Sequence, residues 1–204
     1  LELMLRLYML QNLYSLSNEG TVAEAVDSRA ASEFCGVDSS NHVPDGDTLR
    51  RFRNLLIRHV LQEKLFGQVM KLLRERGLLL KKGTIMDSTL ISAPSSTKNR
   101  EQKRDPEAHS VKKGNKWCFG YKVHTGADKD SGLVHTVRGS SANVQDVTMV
   151  LELLIGAEEI VYGYSGYLGA DKREDAIVRN HQGKSICYKI NRRPSQSKHA
   201  SPRY

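Results

Sequence analysis

The spacing of apolar residues changes near residue 83. Before it, Leu3, Leu7, Leu10 and Tyr14 recur at three- and four-residue steps, which predicts the buried stripe of a helix. Thr21-x-x-Glu24 predicts a capping box that opens a short second helix. Pro44 and Asp45-Gly46 mark a turn, and Asp47 reads as the N-cap of a third helix. From there Leu49, Phe52, Leu56 and Val60, then Leu65, Val69, Leu72 and Leu73, run to a stop at Gly77, with a break near His59.

Beyond residue 83 the period shortens. Thr84–Ile91 is β-branched and bounded by Gly83 and Pro94, so it reads as a strand. Ser95–Lys116 is polar and basic and reads as a loop. Trp117–Thr125 and Leu133–Val137 are predicted strands around the turn Asp128-Lys129-Asp130-Ser131-Gly132. Asp146–Leu154 reads as a helix, Glu159–Tyr162 as a strand, Asp171–Asn180 as a helix and Lys184–Ile190 as a last strand. This order predicts a mixed α/β sheet with helices on its faces, behind an all-α N-terminal region. The expected division is 1–82 helical and 83–204 α/β.

Composition narrows the function classes. The 204 residues carry 31 Lys and Arg against 23 Asp and Glu, a formal charge of +8, and 39% are hydrophobic. That apolar content excludes a wholly disordered chain. Apolar runs such as Leu7–Leu10 are far short of the roughly 20 residues that span a membrane. Three widely spaced cysteines (Cys35, Cys118, Cys187) form neither a disulfide framework nor a Cys-x-x-Cys knuckle. A cytoplasmic protein with a polyanionic partner is expected. The chain opens at Leu1 inside a helical pattern and closes in a polar, basic tail, so a reading frame cut at both ends is also expected.

Several residues are candidates for chemistry. Asp87 sits among Ile85, Met86, Leu90 and Ile91, where a charge is costly unless exposed or paired. It is either an outward-facing strand residue or a metal-binding carboxylate awaiting partners. Residues 98–122 hold eight Lys and Arg against three carboxylates, and Trp117, Phe119 and Tyr121 lie at their end. Such a stretch is either a solvated loop or a nucleic-acid contact whose affinity comes from displaced counterions. After Asp175 no carboxylate remains, while Lys184, Lys189, Arg192, Arg193, Lys198 and Arg203 are basic. The segment Gly163-Tyr164-Ser165-Gly166-Tyr167-Leu168-Gly169 follows a predicted strand, where α/β sites commonly lie. Its spacing fits neither a dinucleotide fingerprint nor a P-loop, and Tyr167 breaks the Gly-x-Ser-x-Gly pattern. His124 and His135, on adjacent predicted strands, read as structural or surface residues rather than as metal ligands. Cys118 and Cys187 are expected to be buried strand residues.

Taken together, the motifs resemble the DDE transposases of bacterial insertion sequences, in the family numbered five. The resemblance rests on Val43-Pro44-Asp45 with Thr48 and Phe52-Arg53, Gly83-Thr84-Ile85-Met86-Asp87-Ser88-Thr89, and Ala93-Pro94-Ser95-Ser96-Thr97-Lys98-Asn99. It continues through Lys103-Arg104-Asp105-Pro106-Glu107, Lys112-Lys113-Gly114-Asn115, Ala142-Asn143 with Asp146, Ser165-Gly166-Tyr167-Leu168-Gly169-Ala170 and Asn191-Arg192-Arg193-Pro194. It implies an RNase H-like catalytic domain behind a helical region that binds DNA ends. It also implies three carboxylates holding two Mg²⁺ ions for in-line attack on phosphate. Asp87 matches the first carboxylate. The second belongs where Tyr164 stands, and a phenol does not replace a carboxylate as a Mg²⁺ ligand at neutral pH. Asp171, Glu174 and Asp175 lie beyond the turn, and the third carboxylate belongs on a helix downstream of Pro194.

What the resemblance implies is therefore a DDE transposase copy with defective chemistry. Its expected partners are double-stranded DNA, as terminal inverted repeats and target, and a second copy in a homodimer. Lys98, Lys103, Arg104, Lys112, Lys113, Lys116, Arg192 and Arg193 are the expected DNA contacts. The alternative is a DNA-binding relic or inhibitor of transposition without enzymatic activity. A basic RNA-binding protein is disfavoured, since no RNA-recognition aromatic motif is present.

Overall fold

The computed structural model describes residues 1–38, 43–79, 82–98, 103–173 and 182–191. The chain forms two compact units, Leu1–Lys71 and Leu72–Tyr204, each described here by itself.

The first unit is helical: α1 (Glu2–Tyr14), α2 (Asn18–Asp27), α3 (Arg29–Cys35), α4 (Gly46–Arg58) and α5 (Leu61–Glu75), the last running past the unit's end. Leu7, Leu10, Ala25, Ala31, Cys35 and Leu49 make its core, with Leu3 packed against them. Tyr14 departs from the predicted stripe. Ser15 turns left-handed (φ 52°) and ends α1, leaving the Tyr14 ring 68% exposed. Gln11 takes the buried position instead, its amide donating to Asn18 Oδ1 at 2.9 Å.

Two helix starts also differ from the sequence expectation. Ser17, not Thr21, caps α2: its hydroxyl accepts from Gly20 N at 3.0 Å. Thr21 is buried one turn in and donates to Ser17 O at 2.8 Å. Asp45, not Asp47, caps α4, with Oδ1 accepting from Thr48 N at 2.7 Å. Asp47 lies within the first turn and pairs with Arg50 at 3.1 Å. The expected break is real: α4 stops at Arg58, Val60 adopts φ 52°, and Gly77 (φ 68°) follows α5. The short α3, capped by Ser28, has no counterpart in the sequence reading.

The second unit is the expected mixed sheet. Its strands are β1 (Gly83–Ser92), β2 (His109–Lys113), β3 (Lys116–Asp128), β4 (Val134–Ser141), β5 (Ile160–Gly163) and β6 (Cys187–Ile190). β1 is central, antiparallel to β3 and parallel to β5. β6 continues parallel beyond β5, while β4 and β2 pair antiparallel with the C- and N-terminal parts of β3. One face is sealed by Met86, Val150, Leu153, Val161, Tyr167, Ala170 and Ile186, with a 3₁₀ turn (Asp146–Met149) and α6 (Val150–Leu153) across it. This antiparallel meander joined to parallel strands matches the RNase H-like architecture.

Ser95–Lys116, expected as a loop, contains β2. A two-residue turn at Gly114-Asn115 folds it onto β3, and Gly114 supplies the positive φ (63°) such a turn needs. Asp171 and Lys172 close a 3₁₀ turn; the rest of the expected helix to Asn180 lies outside the described residues. Cys187 is exposed and Cys118 half-buried, contrary to expectation, because both sit towards the ends of their strands. Among the described residues no helix is long and apolar enough to cross a membrane.

The cap assignments have different energetic weight. Asp45→Ala should destabilise the helical unit by about 1 kcal/mol, whereas Asp47→Ala should cost under about 0.5 kcal/mol. Urea denaturation of the two variants checks the order, and the reverse order would return the cap to Asp47.

Candidate functional site

Side chains alternate along β1. Thr84 and Met86 are buried on the sealed face, so Asp87 projects from the opposite one, where it is exposed. Ile85 (36% exposed) and Ile91 (50%) share that open face. Asp87 pairs in register with Thr125 of β3, and its Oδ1 accepts from Ser88 N at 2.7 Å.

On the other side of β1, Met86 is abreast of Gly163, the last residue of β5. Tyr164 follows, still extended (φ −85°, ψ −179°), and therefore stands abreast of Asp87. Its ring is 58% exposed. The position after β5 thus stands abreast of Asp87 and carries a phenol.

The turn beyond Tyr164 is tightly packed. A Cβ on Gly163 would lie 3.1 Å from Tyr167 and from Ile190 Cδ1. One on Gly166 would lie 2.3 Å from Asp146 Oδ2. Asp146 is itself held: Lys122 Nζ donates to its Oδ1 at 2.8 Å and to Val144 O at 2.7 Å. Tyr167 is 1% exposed, and burial, helped by the charges of Asp146 and Asp87, pushes its ionisation well above that of an ordinary phenol. Sequence reasoning quoted Asp146 but did not see this contact. The signal lay in a lone aspartate opening one helical segment and a glycine in a distant turn, and only tertiary packing joins them.

Lys122, counted with the basic stretch, is turned inward with 13% side-chain exposure. Lys98, Lys103, Arg104, Lys112, Lys113 and Lys116 are exposed, and the last three surround the β2–β3 turn. Arg104 lies over the Phe119 ring, 5.7 Å from its centroid, and Tyr121 donates its hydroxyl to Asp105. That bond raises Tyr121 to a pKa of about 12 and lowers Asp105. Arg192, Arg193, Glu174 and Asp175 lie outside the described residues. Asp171 is exposed beyond the turn.

The histidines are structural, as expected. His124 is fully buried and bonded to Ser140 Oγ at 2.8 Å, while its Nδ1 has no hydrogen-bond partner among the described residues and lies 3.9 Å from Asp146 Oδ1. His135, 4% exposed, joins Thr84 (3.1 Å) and Thr136 (2.8 Å). Thr84 in turn donates to the buried Glu158 at 3.0 Å. No group of three or more His, Cys, Asp or Glu among the described residues could hold a metal ion. The described residues therefore do not fit a two-metal centre: Asp87 is present, but its strand neighbour carries no carboxylate.

The sheet order, with β1 central between antiparallel β3 and parallel β5, is that of an RNase H-like fold. Residues 79–202 match the family model described as Transposase DDE domain, and residues 1–55 match that described as Transposase domain (DUF772). The first match spans more than half of the chain, which belongs to the DDE transposase domain family. It is a transposase by class, and that class implies DNA binding and the use of divalent metal. No solved structure matches it.

Burial drives both histidines below their ordinary value of 6.5, against the raising effect of Asp146 near His124 and Glu158 near His135. The unfolded chain then binds more protons than the folded one as pH falls. Their contribution to stability is complete above pH 6.5 and is lost as pH drops through that value towards the folded pKa. The urea midpoint should be lower at pH 5.5 than at pH 7.5, and a His124→Gln, His135→Gln double variant should flatten the difference. A wild-type midpoint that does not move would refute neutral buried histidines.

Proposed function

We propose that this chain is a DDE transposase of insertion-sequence family five in which the metal centre is incomplete, leaving DNA binding as its activity. The observation that carries the reading is Tyr164 abreast of Asp87. In the family the two positions hold carboxylates that bind metal ions against the scissile phosphate; here Asp87 alone offers hard oxygen ligands of the kind Mg²⁺ takes. The exposed lysines and arginine between Lys98 and Lys116 support contact with the DNA backbone, as terminal inverted repeats or target. A homodimer is the assembly that two DNA ends in one complex would need. The same tyrosine supports a second reading, in which the chain occupies DNA ends and inhibits transposition without cutting.

Two measurements test this. With a terminal-repeat duplex and Mg²⁺, the chain should show no nicking. Tyr164→Asp in the 204-residue chain should show none either, because the family's third carboxylate belongs downstream of Pro194 and no Asp or Glu follows Asp175. Metal-dependent nicking by either protein overturns the defective site. Binding to the same duplex should weaken with salt, and each of Lys112→Ala, Lys113→Ala and Lys116→Ala should reduce the slope of log K against log salt by about 0.9. Slopes that do not change would remove the hairpin lysines from the DNA contact.

A further inference from the structure

The β2–β3 hairpin carries an exposed aromatic that the site described above does not use. Trp117 opens β3 beside Lys112, its cross-strand partner, and Lys116 and Lys113 form the next pair towards the turn. It is the single tryptophan of the chain and is 72% exposed. A side chain of this size is normally well buried, so so large an open indole on a monomer surface marks an interaction site.

Three aromatics alternate along this part of β3, and two of them are engaged. Phe119 lies under the Arg104 guanidinium, and the Tyr121 hydroxyl is bonded to Asp105. Trp117 alone of the three presents an open ring. Alternation also puts Trp117, Phe119, Tyr121, Val123 and Thr125 on one face of β3, and Thr125 is the register partner of Asp87. The indole and the aspartate therefore lie on the same side of the sheet. Eight residues of strand separate Thr125 from Trp117, roughly 26 Å at the rise of an extended chain. That is about seven or eight base pairs of duplex.

From this geometry we infer that Trp117 stacks on an unpaired base of a DNA whose backbone the hairpin lysines hold; the inference rests on the DNA-binding reading above. Charge complementarity selects the partner: Lys112, Lys113 and Lys116 crowd the turn with no carboxylate between Ser110 and Lys122. The ring chemistry selects the base state. An indole has one N–H donor and no acceptor, so it brings little to a phosphate beyond what the lysines supply. Its large π-face finds a partner only where a base face is open, and in the interior of an intact duplex every base face is already stacked. A bulge, gap or extruded nucleotide supplies that face, and base–aromatic stacking tolerates any base identity.

The test uses the full 204-residue chain and two labelled duplexes, one fully paired and one with a single-nucleotide bulge. Because Trp117 is the only tryptophan, protein emission reports it directly. The bulged duplex should quench that emission more strongly than the paired one. Trp117→Ala should weaken binding to the bulged duplex by at least about fivefold and leave the paired duplex within twofold (roughly equal affinity on the same scale). Trp117→Phe, which keeps an aromatic face, should retain most of the preference. Binding of both duplexes with unquenched emission, or an equal loss on both in Trp117→Ala, overturns stacking and leaves DNA binding standing. Failure to bind either duplex overturns the DNA-binding reading and this inference with it.

Discussion

β1 is hydrogen-bonded along both edges, to β3 over the nine-residue register from Thr84 to Ser92 and to β5 from Gly83 to Met86. Every feature of the candidate site follows from that double pairing. Alternation seals Met86 against Val150, Leu153 and Val161 and leaves Asp87 on the open side. A slip of one residue would exchange them, driving a charge into the apolar layer. The parallel bond to β5 then determines which residue of the following turn stands beside Asp87, and in this chain it is Tyr164.

The turn after β5 depends on a second contact of a different kind. Gly166 approaches Asp146 so closely that a side chain there would collide with the carboxylate. Lys122 holds that carboxylate from β3, so strand, 3₁₀ turn and glycine-rich turn are tied by one ion pair and one close approach. With its oxygen bonded to an ammonium and its side chain only 17% exposed, Asp146 serves the packing of the site. Tyr167 fills the space beneath, which explains why aromatic and glycine residues alternate in this segment.

The open face and the β2–β3 hairpin differ in chemistry. The hairpin concentrates positive charge and an accessible aromatic ring. The open face carries Asp87, with Tyr164 abreast of it. The two regions share β3, which pairs with β2 over His109–Lys113 and with β1 over Thr84–Ser92.

Much of this was legible along the chain. The change of period at Gly83, the strand through Asp87, the 128–132 turn and the break near His59 are local patterns, and the family motifs singled out position 164. Other features were not legible. Asp45 and Asp47 are chemically alike, and which one caps α4 depends on where the chain turns into the helix. β2 was hidden because a lysine-rich segment has weak strand character, and its extended form depends on hydrogen bonds from β3. Tyr14 and Cys187 share the apolar spacing of their neighbours yet sit at element ends, where the partner surface stops. The sequence by itself determined most of the elements, the charge and the identity of residues 87 and 164, since these are properties of neighbouring residues. Only the tertiary structure decided that Asp87 and Tyr164 stand abreast, that Asp146 closes on Gly166, and that Trp117 shares the face of Asp87. Those relations arise from pairing between strands far apart in the chain, which no local periodicity encodes.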